Sequence, residues 1–152
     1  MNQLSFSEKL FIDFKTQFNI NFPLKINSTV LACVSGGVDS MALMNILYEQ
    51  GYNFEIKMLG TGVLEEKTRK QVKEQGLENV INIVGQVPSE KVKDYMEQAN
   101  IFIGTSDSWE GWGAVINESM NAGCAIVANK KMGSVPFLIK NGENGLWYSS
   151  YQ

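Results

Sequence analysis

Histidine is absent from this 152-residue chain, and cysteine and proline are scarce, at two and three residues. Without imidazole, acid or base chemistry must come from carboxylates, lysines, hydroxyls, backbone amides or a bound cation. Cys33 and Cys124 each sit in an apolar run and are not paired at ligand spacing. Two buried thiols are expected, and a metal centre is not. No apolar run reaches the length of a membrane span. The opening MNQLSFSEKL lacks the charged-then-apolar order of a secretory leader, so a cytoplasmic chain is expected. The formal net charge of −3 argues against a broad nucleic-acid surface. Internal repeats and low-complexity tracts are missing as well.

What is present is an alternation of short apolar runs and helical patterns. Apolar residues are 44% of the chain, enough for a core. Leu4, Leu10, Phe11, Phe14 and Phe18 share one face of an expected helix over 4–18, which Phe22-Pro23 interrupts. Strands are expected at 29–34, 54–59, 80–84, 101–103 and 124–128. Helices are expected at 38–50, 64–75, 88–99, 113–122 and 135–139, several of them closed by glycine. A last extended segment follows Asn144-Gly145. This pattern predicts a single α/β domain over 1–152, Rossmann-like, with a mostly parallel sheet and helices on both faces. Ligands collect at the carboxyl ends of the strands in such sheets. The glycine-bearing segments after the predicted strands fall there.

The richest of them is Ser106-Asp107-Ser108-Trp109-Glu110-Gly111-Trp112-Gly113, running into Ala114-Val115-Ile116-Asn117-Glu118. Its glycines permit close approach of backbone to ligand. Free N–H groups at the following helix start favour a negative ligand group. Glu118 and Glu110 suit vicinal hydroxyls, as carboxylates do on a ribose. The residues alone also allow a plainer account. Glu110 then stabilises a helix start, Glu118 belongs to a solvated face, and Trp109 and Trp112 are packing.

This segment resembles the donor-binding domain of retaining, GT-B-fold glycosyltransferases of group 1, family 4. The resemblance covers roughly 52–149, in blocks that keep their order: NFEIKMLGTGVLEE, ENVINIVGQVPSEKVKDYMEQANIFIGTSDSWEGWG and NESMNAGCAIVANKKMGSVPFLIKNGENGLWY. The family's glutamate pair, seven residues between them, is matched by Glu110 and Glu118. The resemblance implies that Glu118 holds the nucleotide ribose and that Glu110, the catalytic candidate, contacts the donor sugar. It places Gly111, Trp112 and Gly113 against sugar and phosphate. Gly85 and Val87 then border the base, and Gly60 and Gly62 form the glycine-rich turn. Gly133-Ser134-Val135-Pro136 matches a turn often written with two glycines before a proline. The implied ligand is a sugar nucleotide or nucleoside diphosphate, with no metal or other cofactor.

A second signal lies at the amino end. Ser35-Gly36-Gly37-Val38-Asp39-Ser40 follows an apolar run and opens a helical pattern, the setting of a phosphate loop. A helix cap with a glycine-shaped turn is the plainer reading. The stretch resembles the SGGxDS loop of PP-loop ATP pyrophosphatases, and 1–55 resembles the start of tRNA(Ile)-lysidine synthetase. That likeness implies ATP and magnesium at Ser35, Gly36, Gly37, Asp39 and Ser40, but it stops near Ile56. The glycosyltransferase loop expected here carries an arginine and a lysine, yet Thr29 to Glu49 contains neither. The expectation is a donor-binding half that lacks its acceptor-binding domain, a hybrid or fragment with little transfer activity alone. An ATP-binding pyrophosphatase fragment and a non-catalytic or engineered α/β scaffold are the alternatives.

Overall fold

A computed structural model describes residues 28–33, 54–106 and 111–149, with backbone alone for 28–33 and Phe54. The helices expected at 4–18 and 38–50 lie outside these residues. The chain runs from β1 (Ser28–Cys33) to β2 (Phe54–Leu59), α1 (Glu65–Glu74) and β3 (Ile81–Gly85). It continues through α2 (Ser89–Gln98), β4 (Ile101–Gly104), α3 (Val115–Asn121) and β5 (Ala125–Asn129). It closes with α4 (Val135–Leu138) and β6 (Gly145–Tyr148).

The strands form one sheet in the order β3-β2-β1-β4-β5-β6. Every ladder is parallel. The chain builds outward from β1 to β3, then returns to the other side of β1 to lay down β4, β5 and β6. Val30 of β1 lies opposite both Ile56 of β2 and Ile101 of β4. This reversal is the topological switch point of a doubly wound sheet.

Strand alternation divides the core in two. Ile56, Met58, Ile101, Ile103 and Val127 pack with Val72 of α1 and with Leu77 on one side of the sheet. Phe102, Ile126 and Ala128 pack with Met96 of α2, Ile116 of α3 and Val135 of α4 on the other. Both faces are therefore covered, which accounts for strands that read as continuous apolar runs. Helix α1 is mostly polar, with only Thr68 and Val72 buried. Its acids, Glu65 and Glu66, sit in the first turn and Lys73 in the last, as the helix dipole favours.

The expected boundaries hold within one or two residues. Val80 is a turn residue rather than the first of β3, although its carbonyl still accepts the Ile56 N–H at 2.8 Å. Helix α3 begins at Val115 instead of 113, because Gly113 has φ +70° and cannot join a right-handed helix.

Cys124 is buried, and its thiol is directed at the carbonyls of Met96 at 3.2 Å and Ala99 at 3.6 Å. Burial pushes this thiol's pKa up. The unfolded chain therefore releases the Cys124 proton at lower pH than the native chain does. Its contribution to stability is full below the ordinary thiol range and is lost as pH rises through it. Iodoacetamide at mildly alkaline pH is expected to leave Cys124 unlabelled in the native chain and to label it in urea. Peptide mapping that finds equal labelling rates would contradict a buried thiol.

Candidate functional site

The site-bearing segments all leave the carboxyl ends of the strands. On the β2–β3 side, the Gly60 N–H donates to the Gly85 carbonyl at 2.8 Å. Gly62 accepts the Glu65 N–H at 3.0 Å at the entry to α1. Gly85 is the buried last residue of β3, and half-buried Val87 follows it. The sequence reading did not anticipate Arg69, the only arginine in the chain. Its guanidinium donates through Nε and Nη2 to Glu65 Oε1, at 3.0 and 2.7 Å. Nη2 also reaches the Ile83 carbonyl at 3.1 Å, tying α1 to the end of β3.

On the β4–β5 side, Gly111-Trp112-Gly113 is docked on the turn that precedes α4. The Gly133 N–H donates to the Gly111 carbonyl at 3.0 Å, and the Ser134 N–H to the Trp112 carbonyl at 2.7 Å. The buried Ser134 hydroxyl donates to the Gly113 carbonyl at 3.2 Å. A Cβ at Gly133 would collide with the Gly111 carbonyl oxygen. Only glycine permits this approach. Buried Met132 lies beneath, with its methyl 3.2 Å from where a Cβ on Gly113 would stand.

This docking fixes the loop from behind. All three of its carbonyls are occupied by Gly133 and Ser134. Glu118 stands on α3, exposed, with no side chain engaging its carboxylate among the described residues. The Trp112 indole N–H donates to Asn117 Oδ1 at 3.1 Å. Its ring meets that of Phe137 at a centroid separation of 5.7 Å.

The two clusters flank the central strand. Gly60, Gly62, Gly85 and Val87 lie at or just after the ends of β2 and β3, while Gly111, Trp112, Gly113 and Glu118 follow β4. Strand β1 lies between β2 and β4, with Cys33 opposite Gly104. Glu110 lies outside the described residues, as do Ser35, Gly36, Gly37, Asp39 and Ser40. Basic side chains enter this edge from the turn after β5. Lys130 stands over the Trp147 ring at 4.2 Å, and Lys131 is exposed. Among the described residues, no cluster of carboxylates and thiols is arranged to hold a metal ion. Nor is any helix there long and apolar enough to cross a membrane.

Sequence reasoning named the Gly133–Pro136 turn but not its partner, because a contact between loops leaves no local spacing to read. Met132, Asn117, Ser134 and Phe137 were missed as supports for the same reason.

Residues 15–152 match the family described as "Glycosyl transferases group 1". The match extends ahead of the 52–149 stretch and takes in Ser35 to Ser40. It lends no support to the pyrophosphatase likeness or to ATP binding. The chain is similar to the amylovoran biosynthesis glycosyltransferase AmsK of Erwinia amylovora, at 29% identity over 129 residues. That alignment covers 81% of this chain and 31% of AmsK. Similarity to the putative colanic acid biosynthesis glycosyltransferase WcaL of Salmonella typhimurium is 32% over 104 residues, covering 65% of this chain and 25% of WcaL. The chain thus spans about a third or less of these relatives.

Among solved structures, Anabaena HepE in complex with UDP and glucose superposes with a TM-score of 0.67 at 22% identity. The superposition covers 97% of this chain and 39% of HepE. The C-terminal domain of the group 1 protein LpcC from Francisella tularensis gives a TM-score of 0.63 at 20% identity. It covers 89% of this chain and 73% of that domain. At these identities the likeness establishes the fold, a doubly wound sheet shared with GT-B glycosyltransferases.

Proposed function

Since the chain belongs to the group 1 glycosyl transferases, we propose that it is the donor-binding part of a retaining enzyme that transfers a sugar from a sugar nucleotide to a saccharide acceptor. The observation that carries this reading is the docked loop at Gly111–Gly113. Its three carbonyls are fixed from behind by Gly133 and Ser134, and the exposed Glu118 carboxylate stands one helical turn further on. Phosphate and sugar oxygens take the amides, and the ribose hydroxyls take Glu118. The base lies toward Gly85 and Val87, across the end of β1. Lys131 adds positive charge at the edge where the diphosphate sits.

The relatives AmsK and WcaL are named for amylovoran and, putatively, colanic acid biosynthesis, and HepE is described in complex with UDP and glucose. A uridine diphosphate sugar is accordingly the donor we assign. Glu110 is assigned the contact to the donor sugar. By itself the chain binds the nucleotide and transfers little, because an acceptor must be held in line with the anomeric carbon and water kept out. An acceptor-binding domain completes the enzyme.

Titration with UDP, GDP, ADP and UDP-glucose, followed by amide NMR, tests this assignment. Shifts are expected at Gly85, Trp112, Gly113 and Glu118, saturating at about millimolar ligand or below. A spectrum that no nucleotide moves at that concentration would sink the donor-binding reading.

A further inference from the structure

Among the described residues, four large apolar side chains are exposed: Val63, Leu64, Trp112 and Phe137. All four lie on segments that follow carboxyl strand ends, after β2, β4 and β5. Two of them form a pair. Trp112 is 51% exposed and Phe137 78% exposed, and their rings meet at 5.7 Å with a 33° tilt. Trp112 lies in a loop and Phe137 on α4, so neither sequence neighbourhood nor a shared helix explains their contact.

Both rings are held in place. The Trp112 carbonyl is fixed by Ser134, and its indole N–H is engaged by Asn117. Phe137 is anchored on α4, where its N–H donates to the Ser134 carbonyl at 3.1 Å. An ordered aromatic surface that spends its one N–H internally has no hydrogen-bonding capacity left to offer. Its face carries the negative side of the ring quadrupole. It therefore repels a phosphate and suits a neutral partner with polarised C–H groups. The C–H face of a pyranose ring is such a partner.

We propose that Trp112 and Phe137 form a stacking platform for a sugar ring of the acceptor saccharide. This rests on the glycosyltransferase reading above and assigns one acceptor subsite to it. The division of labour lies within a single residue. The Trp112 backbone belongs to the segment assigned to the donor, while its side chain, paired with Phe137, receives the acceptor. Continuity with the docked Gly111–Gly113 loop, to which Trp112 itself belongs, favours an acceptor ring over any macromolecular partner, because the acceptor must end beside the donor sugar.

The test uses the chain saturated with UDP and titrated with methyl β-glucopyranoside, methyl β-galactopyranoside and lactose, up to about 100 mM, the range of weak sugar affinity. Shifts are expected at the Trp112 indole N–H and at the ring protons of Trp112 and Phe137. Phe137→Ala is expected to weaken the response at least about fivefold, and Trp112→Leu likewise. Urea denaturation midpoints show that each variant remains folded. Replacing UDP with UDP-glucose is expected to leave the sugar response in place. Absence of a response to all three probes overturns the platform, while UDP shifts at Gly85 leave the donor-binding reading standing. Displacement of the probes by UDP-glucose assigns the rings to the donor instead. Shifts at both rings on dilution without sugar show that a second copy of the chain covers them, which also overturns the proposal.

Discussion

Gly133→Ala is expected to destabilise the chain by on the order of 3 kcal/mol and to abolish the nucleotide response at Gly113. The new methyl would occupy the position of the Gly111 carbonyl oxygen, with the Gly111 carbonyl carbon 3.1 Å and the Trp112 Cα 3.2 Å away. Those neighbours are backbone, so no rotamer change relieves the contact. The loop must leave the turn, and two hydrogen bonds at 3.0 and 2.7 Å leave with it. The Ser134 hydroxyl, fully buried, then faces the loss of the Gly113 carbonyl. A buried donor without its acceptor costs a further ~1–3 kcal/mol. Gly62→Ala is the control, since a Cβ there meets nothing within 4 Å. It is expected to lie within about 1 kcal/mol of the wild type. Urea denaturation of both variants checks the contrast. Equal stabilities would show that Gly111 and Gly133 are not in contact.

Glu118→Ala is expected to weaken UDP binding about 30-fold, or on the order of 2 kcal/mol, while leaving stability within about 0.5 kcal/mol. The side chain is exposed, so its removal opens no cavity. Hydrogen bonds from ribose hydroxyls to a carboxylate are charge-assisted and stronger than neutral ones. The loss should be specific to those hydroxyls. Calorimetry with UDP and 2′-deoxy-UDP resolves it: the wild type prefers UDP, and Glu118→Ala binds both alike. A variant that retains the preference for UDP places the ribose contact elsewhere.

Most of the scaffold was legible from sequence because its signals are local. Runs such as Ile101-Phe102-Ile103 are short, apolar and bounded by turn residues. Buried on both faces, they match a covered parallel sheet rather than an amphipathic strand. Gly76 and Gly123 marked the ends of their helices. The start of α3 was displaced because Gly113 was read as a helix opener, whereas its positive φ belongs to the loop. The candidate site was legible in part. Glu118, Gly85 and the Gly-Trp-Gly segment were named from spacing and resemblance. The apposition of Gly133 to Gly111 was not, since it joins residues from two separate connections. The exposure of Phe137 was hidden too, because Val135, Leu138 and Ile139 around it read as one apolar helix face. Only the fold shows that Val135 and Ile139 turn inward while Phe137 turns out.

The strand order has a kinetic meaning as well as a geometric one. No ladder in this sheet is made by a hairpin, and the pairing of Val30 with Ile101 closes the longest stretch of chain of any ladder. Loop-closure entropy makes that junction the costliest to form, and slow non-local pairing of this kind limits how fast such sheets assemble. The β1–β4 junction at the switch point is therefore a product of the complete topology, not of either half. Neither the β1–β3 unit nor the β4–β6 unit contains it, and separating them at that ladder removes the junction while leaving each half its own local pairings.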